Sequence, residues 1–90
     1  MMQIGFDPRK SAKNAAERGL PFELVTDLDW ETAIIVEDSR QDYGERRMRA
    51  FLYGEGKPYV VVYTMRSAVR WVISFRRARE TERKHYEQKA

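Results

Sequence analysis

The side chains in this sequence best able to do chemistry are its arginines. The 90 residues include 17 Lys and Arg, 14 Asp and Glu, a single histidine and no cysteine. A guanidinium is permanently charged and meets phosphate oxygens through two parallel donors. The stretch Tyr59 to Tyr86, YVVVYTMRSAVRWVISFRRARETERKHY, gathers Arg66, Arg70, Arg76 and Arg77 around one predicted strand. Arg47 and Arg49 project from a second predicted strand that can lie nearby, and Arg83 and Lys84 follow on a charged tail. Such a set can hold an RNA phosphate and stabilise the charge that builds up when a 2′-hydroxyl attacks it, with no metal required. That reaction benefits from a proton acceptor and a donor, for which His85, Glu45, Tyr43 and Glu82 are candidates.

The same residues admit a plainer reading. Arginines at strand ends pair with carboxylates on their own surface, and Glu80 and Glu82 are close in sequence. Ala78, Glu82 and Tyr86 share a helical stripe, so His85 beside them fits a packed or solvated position. Tyr59, Tyr63 and Trp71 read as core rather than as stacking platforms, and Tyr43-Gly44-Glu45 as a turn. Asp27, Asp29 and Glu31 could hold a magnesium ion, but an acidic turn is the better account. With one histidine and no cysteine, a zinc site built on those ligands is excluded. No glycine-rich loop precedes a helix, which excludes the phosphate- and dinucleotide-binding fingerprints, and no cofactor is expected.

The elements that must position these groups follow from pattern. Tyr59–Tyr63 is apolar on nearly every residue and reads as a central strand covered on both faces. Val69–Phe75 alternates: Val69, Trp71, Ile73 and Phe75 form the expected core face, and Arg70, Val72, Ser74 and Arg76 the other. Arg70 and Arg76 are therefore expected to share a face. Residues 47–53 alternate too, and Gly54-Glu55-Gly56-Lys57-Pro58 reads as a hairpin connection. At the front, Gln3–Phe6 is a short strand, and Asp7-Pro8 starts a helix that Gly19 ends. That helix offers only Ala12, Ala15 and Ala16 for close approach. Pro21 begins a second helix to about Leu28, with Phe22, Val25 and Leu28 on its apolar stripe. Ala33–Val36 is a further strand. The order β, α, α, β, β, β, β, α predicts a two-layer α+β domain over residues 1–90, its antiparallel sheet of about four to five strands covered on one face by helices.

Composition sets the context. The 42% apolar share suits a globular fold, and 90 residues suit one domain. Charge is uneven: from Arg66 onward there are eight basic and three acidic residues, whereas residues 20–45 hold eight acids and only Arg40 as a base. A basic back end points to an anionic partner such as nucleic acid. The start lacks the pattern of a signal peptide, and no apolar run approaches the roughly 20 residues that cross a bilayer. Together with the absence of cysteine this makes the cytoplasm the expected compartment.

Several segments together resemble the BrnT family of toxins from bacterial type II toxin–antitoxin modules. They are FDPRKSAKNAAERGLPFE, then DSRQDYGERR, then VVVYTMR, then RWVISFRRARETERKHYE, in the family's order and over nearly the whole chain. The chain departs from the family's pattern at Glu17-Arg18 before Gly19, at Phe75 between Ser74 and Arg76, and at Phe6 before the first aspartate. The resemblance implies a RelE-like ribonuclease that arrests translation. It also implies neutralisation by a cognate BrnA-type antitoxin, with which the toxin forms a hetero-oligomer and through which alone it reaches operator DNA. Carried onto this chain, the residues it implies for toxicity are Arg70, Arg76 and Arg77, with Arg66 and Glu45 behind them.

Overall fold

The computed structural model describes residues 2–89. Five strands, β1 (Gln3–Gly5), β2 (Ile34–Glu37), β3 (Arg47–Gly54), β4 (Lys57–Arg66) and β5 (Val69–Arg77), form one sheet in the order β1-β5-β4-β3-β2. Pairing is antiparallel except between β1 and β5, which run parallel. The expectation of a purely antiparallel sheet therefore fails only at this edge, where a parallel pair needs a long crossover. The chain between β1 and β5 supplies it.

Local chemistry accounts for the elements. The β3–β4 hairpin turns on Glu55 and Gly56, with φ of 51° and 76°, between the paired Gly54 and Lys57. Two successive left-handed residues match the right-handed twist of the flanking strands. Helix α1 (Pro8–Arg18) opens with the Asp7 carboxylate accepting from the Arg9 amide at 2.9 Å and closes at Gly19, whose φ is 70°. The segment expected as a second helix is a 3₁₀ helix, Phe22–Asp27, with a shorter one at Trp30–Thr32. Six residues after a proline are too few to repay an α-helical nucleus, so the tighter form prevails. Its stripe is as expected, for Phe22, Val25 and Leu28 are buried.

These helices share one face of the sheet. Phe22, Val25 and Leu28 join Ala50, Leu52, Val61, Tyr63, Val72 and Phe75 in the main core. Helix α1 is fastened there by polar contacts, because its alanines supply little area, and Ala12 and Ala16 are exposed. The Ser11 hydroxyl, buried, accepts from the Phe22 amide at 2.8 Å and donates to Glu23 at 2.6 Å. Asn14 donates to the Leu20 and Phe75 carbonyls at 2.7 and 2.9 Å. The C-terminal helix, α2 (Glu80–Glu87), lies on the opposite face, where its buried Tyr86 joins Phe51 and Val60 in a second, smaller core. The two end helices thus cover different faces, and α2 covers only part of its own.

One irregularity decides where the cations go. Val62 pairs with Ser74 but Tyr63 pairs with Val72, so Ile73 has no partner and β5 carries a bulge. An extra residue shifts the alternation by one. Before the bulge Arg70 and Val72 face the main core, and after it Phe75 does. Arg76 then points to the α2 side, where it meets Glu82. The expected sharing of a face by Arg70 and Arg76 is therefore overturned. Val72 is core at 1% exposure, while Trp71 and Ile73, expected to be core, are only half-buried.

Candidate nucleic-acid interface

On the α2 side of the sheet, side chains line up in rows across β3, β4 and β5, since directly paired residues project from the same face. Arg47, Thr64 and Trp71 make the row at the open end. Arg49, Val62 and Ser74 make the middle row, and Phe51, Val60 and Arg76 the third. Helix α2 seats itself on the third row alone: the Tyr86 ring stacks on Phe51 with centroids 5.0 Å apart. Its N-terminal half then borders the middle row, leaving a cleft of about 220 Å³ lined by Arg49, Thr81, Glu82, His85 and Tyr86.

Two carboxylates organise the guanidiniums here. Glu82 accepts from both terminal nitrogens of Arg76 at 2.8 Å each, and from the Arg79 amide at 2.8 Å as the cap of α2. The Arg76 hydrogen bonds hold the Glu82 carboxyl down at about 2, and the pairing raises Arg76 in turn. A carboxylate so acidic and so fully engaged is a poor proton acceptor, which removes Glu82 from the candidates for a general base. Glu45, at the open end, is held differently. Its oxygens lie 3.6 Å from Arg47 Nε and 4.0 Å from Arg66 Nη2, beyond hydrogen-bonding reach. Each of those arginines rests on a ring: Arg47 on Tyr43 at 4.0 Å and Arg66 on Trp71 at 4.6 Å. Arg49 has no ion-pair partner among the described residues, and its buried Nε makes no hydrogen bond.

Arg40, passed over in the sequence as the lone base of an acidic run, belongs to this neighbourhood. It binds buried Asp38 through two hydrogen bonds of 2.7 and 2.8 Å, which lower the Asp38 carboxyl, and Tyr43 donates to the same carboxylate at 3.3 Å. The charge of Arg49 also acts on Asp38, and that of Arg40 on Arg76. The signal that could have found it is the spacing Asp38-x-Arg40 directly after a predicted strand, which lets the side chains fold back together.

The remaining candidates lie elsewhere. Arg70 stands on the other face, its guanidinium 3.9 Å from the Trp30 ring and 5.5 Å from Tyr63. There it borders a hollow of about 600 Å³ shared with Met2, Ile4, Leu28 and Trp30. Arg77, exposed, has its guanidinium 5.7 Å from the Tyr59 ring, part of the main core. Arg83 is tied along α2 to Glu80 and to Glu87, and Lys84 is exposed. Asp27, Asp29 and Glu31 do not converge: among the described residues no three His, Cys, Asp or Glu side chains come together as a metal site would need. Asp29 instead accepts from the Thr32 hydroxyl at 3.0 Å.

A surface of permanent cations around a cleft is shaped for a polyanion, and sequence comparison says which kind of protein carries it. The family model described as "Ribonuclease toxin, BrnT, of type II toxin-antitoxin system" matches residues 6–82. The chain belongs to the BrnT family. No curated protein matches it. BrnT membership makes it a ribonuclease toxin of a type II toxin–antitoxin system, with RNA as substrate and a cognate antitoxin as partner. The matched span takes in β3, β4 and β5 and reaches Glu82, and so includes every row of the cationic face. No helix among the described residues is long and apolar enough to cross a membrane.

Proposed function

We propose that this BrnT protein cleaves RNA without a metal, on the sheet face between β3 and α2, by attack of a ribose 2′-hydroxyl on the adjacent phosphate. Arg49 and Arg76 hold the phosphate, and His85, at the mouth of the same cleft, takes the 2′-hydroxyl proton. The new bond joins the 2′-oxygen to phosphorus. The bond to the 5′-oxygen breaks, that oxygen takes a proton from water, and His85 later releases its proton to solvent. The products are a 2′,3′-cyclic phosphate and a 5′-hydroxyl.

The observation that carries this reading is that Arg49 of β3 and His85 of α2 line one cleft with Glu82, the carboxylate that holds Arg76 of β5 beside them. Charge builds up on the phosphate oxygens as the bond forms, and fixed guanidiniums stabilise it without reorganising. An imidazole can accept and return a proton near neutrality. Arg47 and Arg66 extend the positive surface along the strand direction and give RNA a path to the cleft. Arg70 and Arg77, placed on the other face, serve the fold rather than the reaction.

The finer partners follow the family. The antitoxin is of BrnA type, it covers the toxin in a hetero-oligomer, and operator DNA is met only through it. The whole chain acts as one domain in the cytoplasm.

The test is purified protein incubated with a defined RNA in EDTA, with product ends analysed. Cyclic phosphate ends formed in EDTA, and lost in Arg49→Ala and His85→Ala, are the expected result. Cleavage that requires added magnesium, or tight binding with no cleavage, overturns the mechanism.

A further inference from the structure

The open end of the cationic face holds an arrangement that phosphate binding does not explain. Glu45 sits between two arginines without hydrogen-bonding to either, at 3.6 and 4.0 Å. Its side chain is 34% exposed. Its charge is balanced, yet its oxygens remain free to accept. Beside it, Trp71 lies against β1, where a side chain at Gly5 would come within 2.9 Å of the indole, so only glycine lets the ring settle there. The Arg66 guanidinium rests over that indole, 4.6 Å from its centre, with 54% of its side chain exposed. The result is a layered stack, Gly5 backbone, indole and guanidinium, whose outer layer is a charged plane open to water beside a free carboxylate.

A carboxylate repels phosphate, so its place in an RNA path needs another partner. Single-stranded RNA is read by stacking bases on aromatic rings or arginine planes and by hydrogen bonds to their Watson–Crick edges. A carboxylate offers two acceptors side by side. Among the four bases, guanine presents two adjacent donors on that edge, N1–H and the N2 amino group. Adenine and cytosine each present one amino group next to an acceptor, and uracil one N–H between two acceptors.

We propose that Arg66 and Glu45 form a guanine subsite, the base lying on the Arg66 plane and giving both edge donors to the Glu45 carboxylate. The inference rests on the proposed RNA-binding face and adds to it a base preference beside the cleft. Two strand rows, of roughly 7 Å each at about 3.4 Å per residue, separate the Arg47 row from the Arg76 row. The base read therefore lies a short way along the strand from the scissile phosphate, and is not the base next to it.

The test uses short single-stranded RNAs identical except for one nucleotide, G, A, C or U, with 2′-O-methyl ribose throughout so that none is cleaved. Binding is measured by fluorescence anisotropy. A good bidentate pair discriminates by about tenfold or more. The expected result is at least that preference for G in the natural protein, falling to near parity in Glu45→Gln. Arg66→Lys, which keeps charge but loses the plane, should weaken binding of all four oligonucleotides and narrow the G preference. Equal affinity for the four, or a G preference that survives Glu45→Gln in a protein with unchanged circular dichroism, overturns the subsite. Failure of the natural protein to bind any of them overturns the RNA-binding face as well, a different result from binding without preference.

Discussion

Replacing Glu82 by glutamine isolates the contact that fixes Arg76. The amide oxygen can still accept from the Arg79 backbone, so the helix cap survives while the ion pair with Arg76 is lost. Holding a carboxyl at about 2 instead of 4.5 is worth at most ~3 kcal/mol at about 1.4 kcal/mol per tenfold change in proton affinity. Arg76 and Glu82 keep 21% and 20% of their side chains exposed, so solvent screens part of this. Exposed pairs contribute up to ~1 kcal/mol, which places this half-buried, two-pronged pair at ~1–2 kcal/mol. For a domain of this size that is a fall in Tm of about 5–12 °C at pH 7. The pH dependence has a definite sign. The folded carboxyl is the more acidic, so the stabilisation is complete above about pH 4.5, shrinks as the unfolded chain takes up the proton, and is gone once the pH has fallen through about 2. Urea unfolding of both proteins from pH 7 to pH 2 reads this directly. A Tm change under about 2 °C at pH 7 would refute the reasoning, as would a difference between the two proteins that persists at the acid end.

Further outcomes separate the two faces of the sheet. Arg76→Ala expressed in bacteria should relieve growth arrest, whereas Arg77→Ala, placed over Tyr59, should arrest growth like the parent; colony counts after induction decide. Arg49→Ala should weaken RNA binding for all sequences and lower the salt slope by about one, read from affinities over a range of salt concentrations. Arg70→Ala should cost about 1–2 kcal/mol of stability, from the lost stack on Trp30, while RNA cleavage at a temperature where it is folded stays unchanged. Phe75→Ala should cost about 3–5 kcal/mol by opening the main core, seen as a large drop in Tm.

Much of the fold can be read from the sequence because its signals are local. Asp7-Pro8 and Gly19 mark both ends of α1, and Gly54 to Pro58 marks the hairpin. The strand faces of β3 follow from simple alternation, and Arg47 and Arg49 do share a face. The bulge in β5 is not local in this sense. Ile73 and Ser74 are ordinary strand residues, and which of them loses its partner depends on β4 across the ladder. Its one trace in the sequence is Val72, an apolar residue among Arg70, Ser74 and Arg76. The partner of β1 was equally hidden, since a three-residue strand pairs with whatever edge the crossover brings to it. The side taken by α2 is decided by Tyr86 finding Phe51, a contact between residues far apart in the chain.

The slip at Ile73 also leaves β5 with one position where a change in length can be absorbed. Removing Ile73 would restore strict alternation while leaving the Tyr63–Val72 and Val62–Ser74 pairs as they are, with the Phe75 ring still inward and Arg76 still on the α2 side. A side chain in this strand can be exchanged for another at a modest penalty. A residue lost from the regularly paired parts of the strand would instead invert everything beyond the gap, ruining the solid centre of the molecule and its charged surface in one stroke.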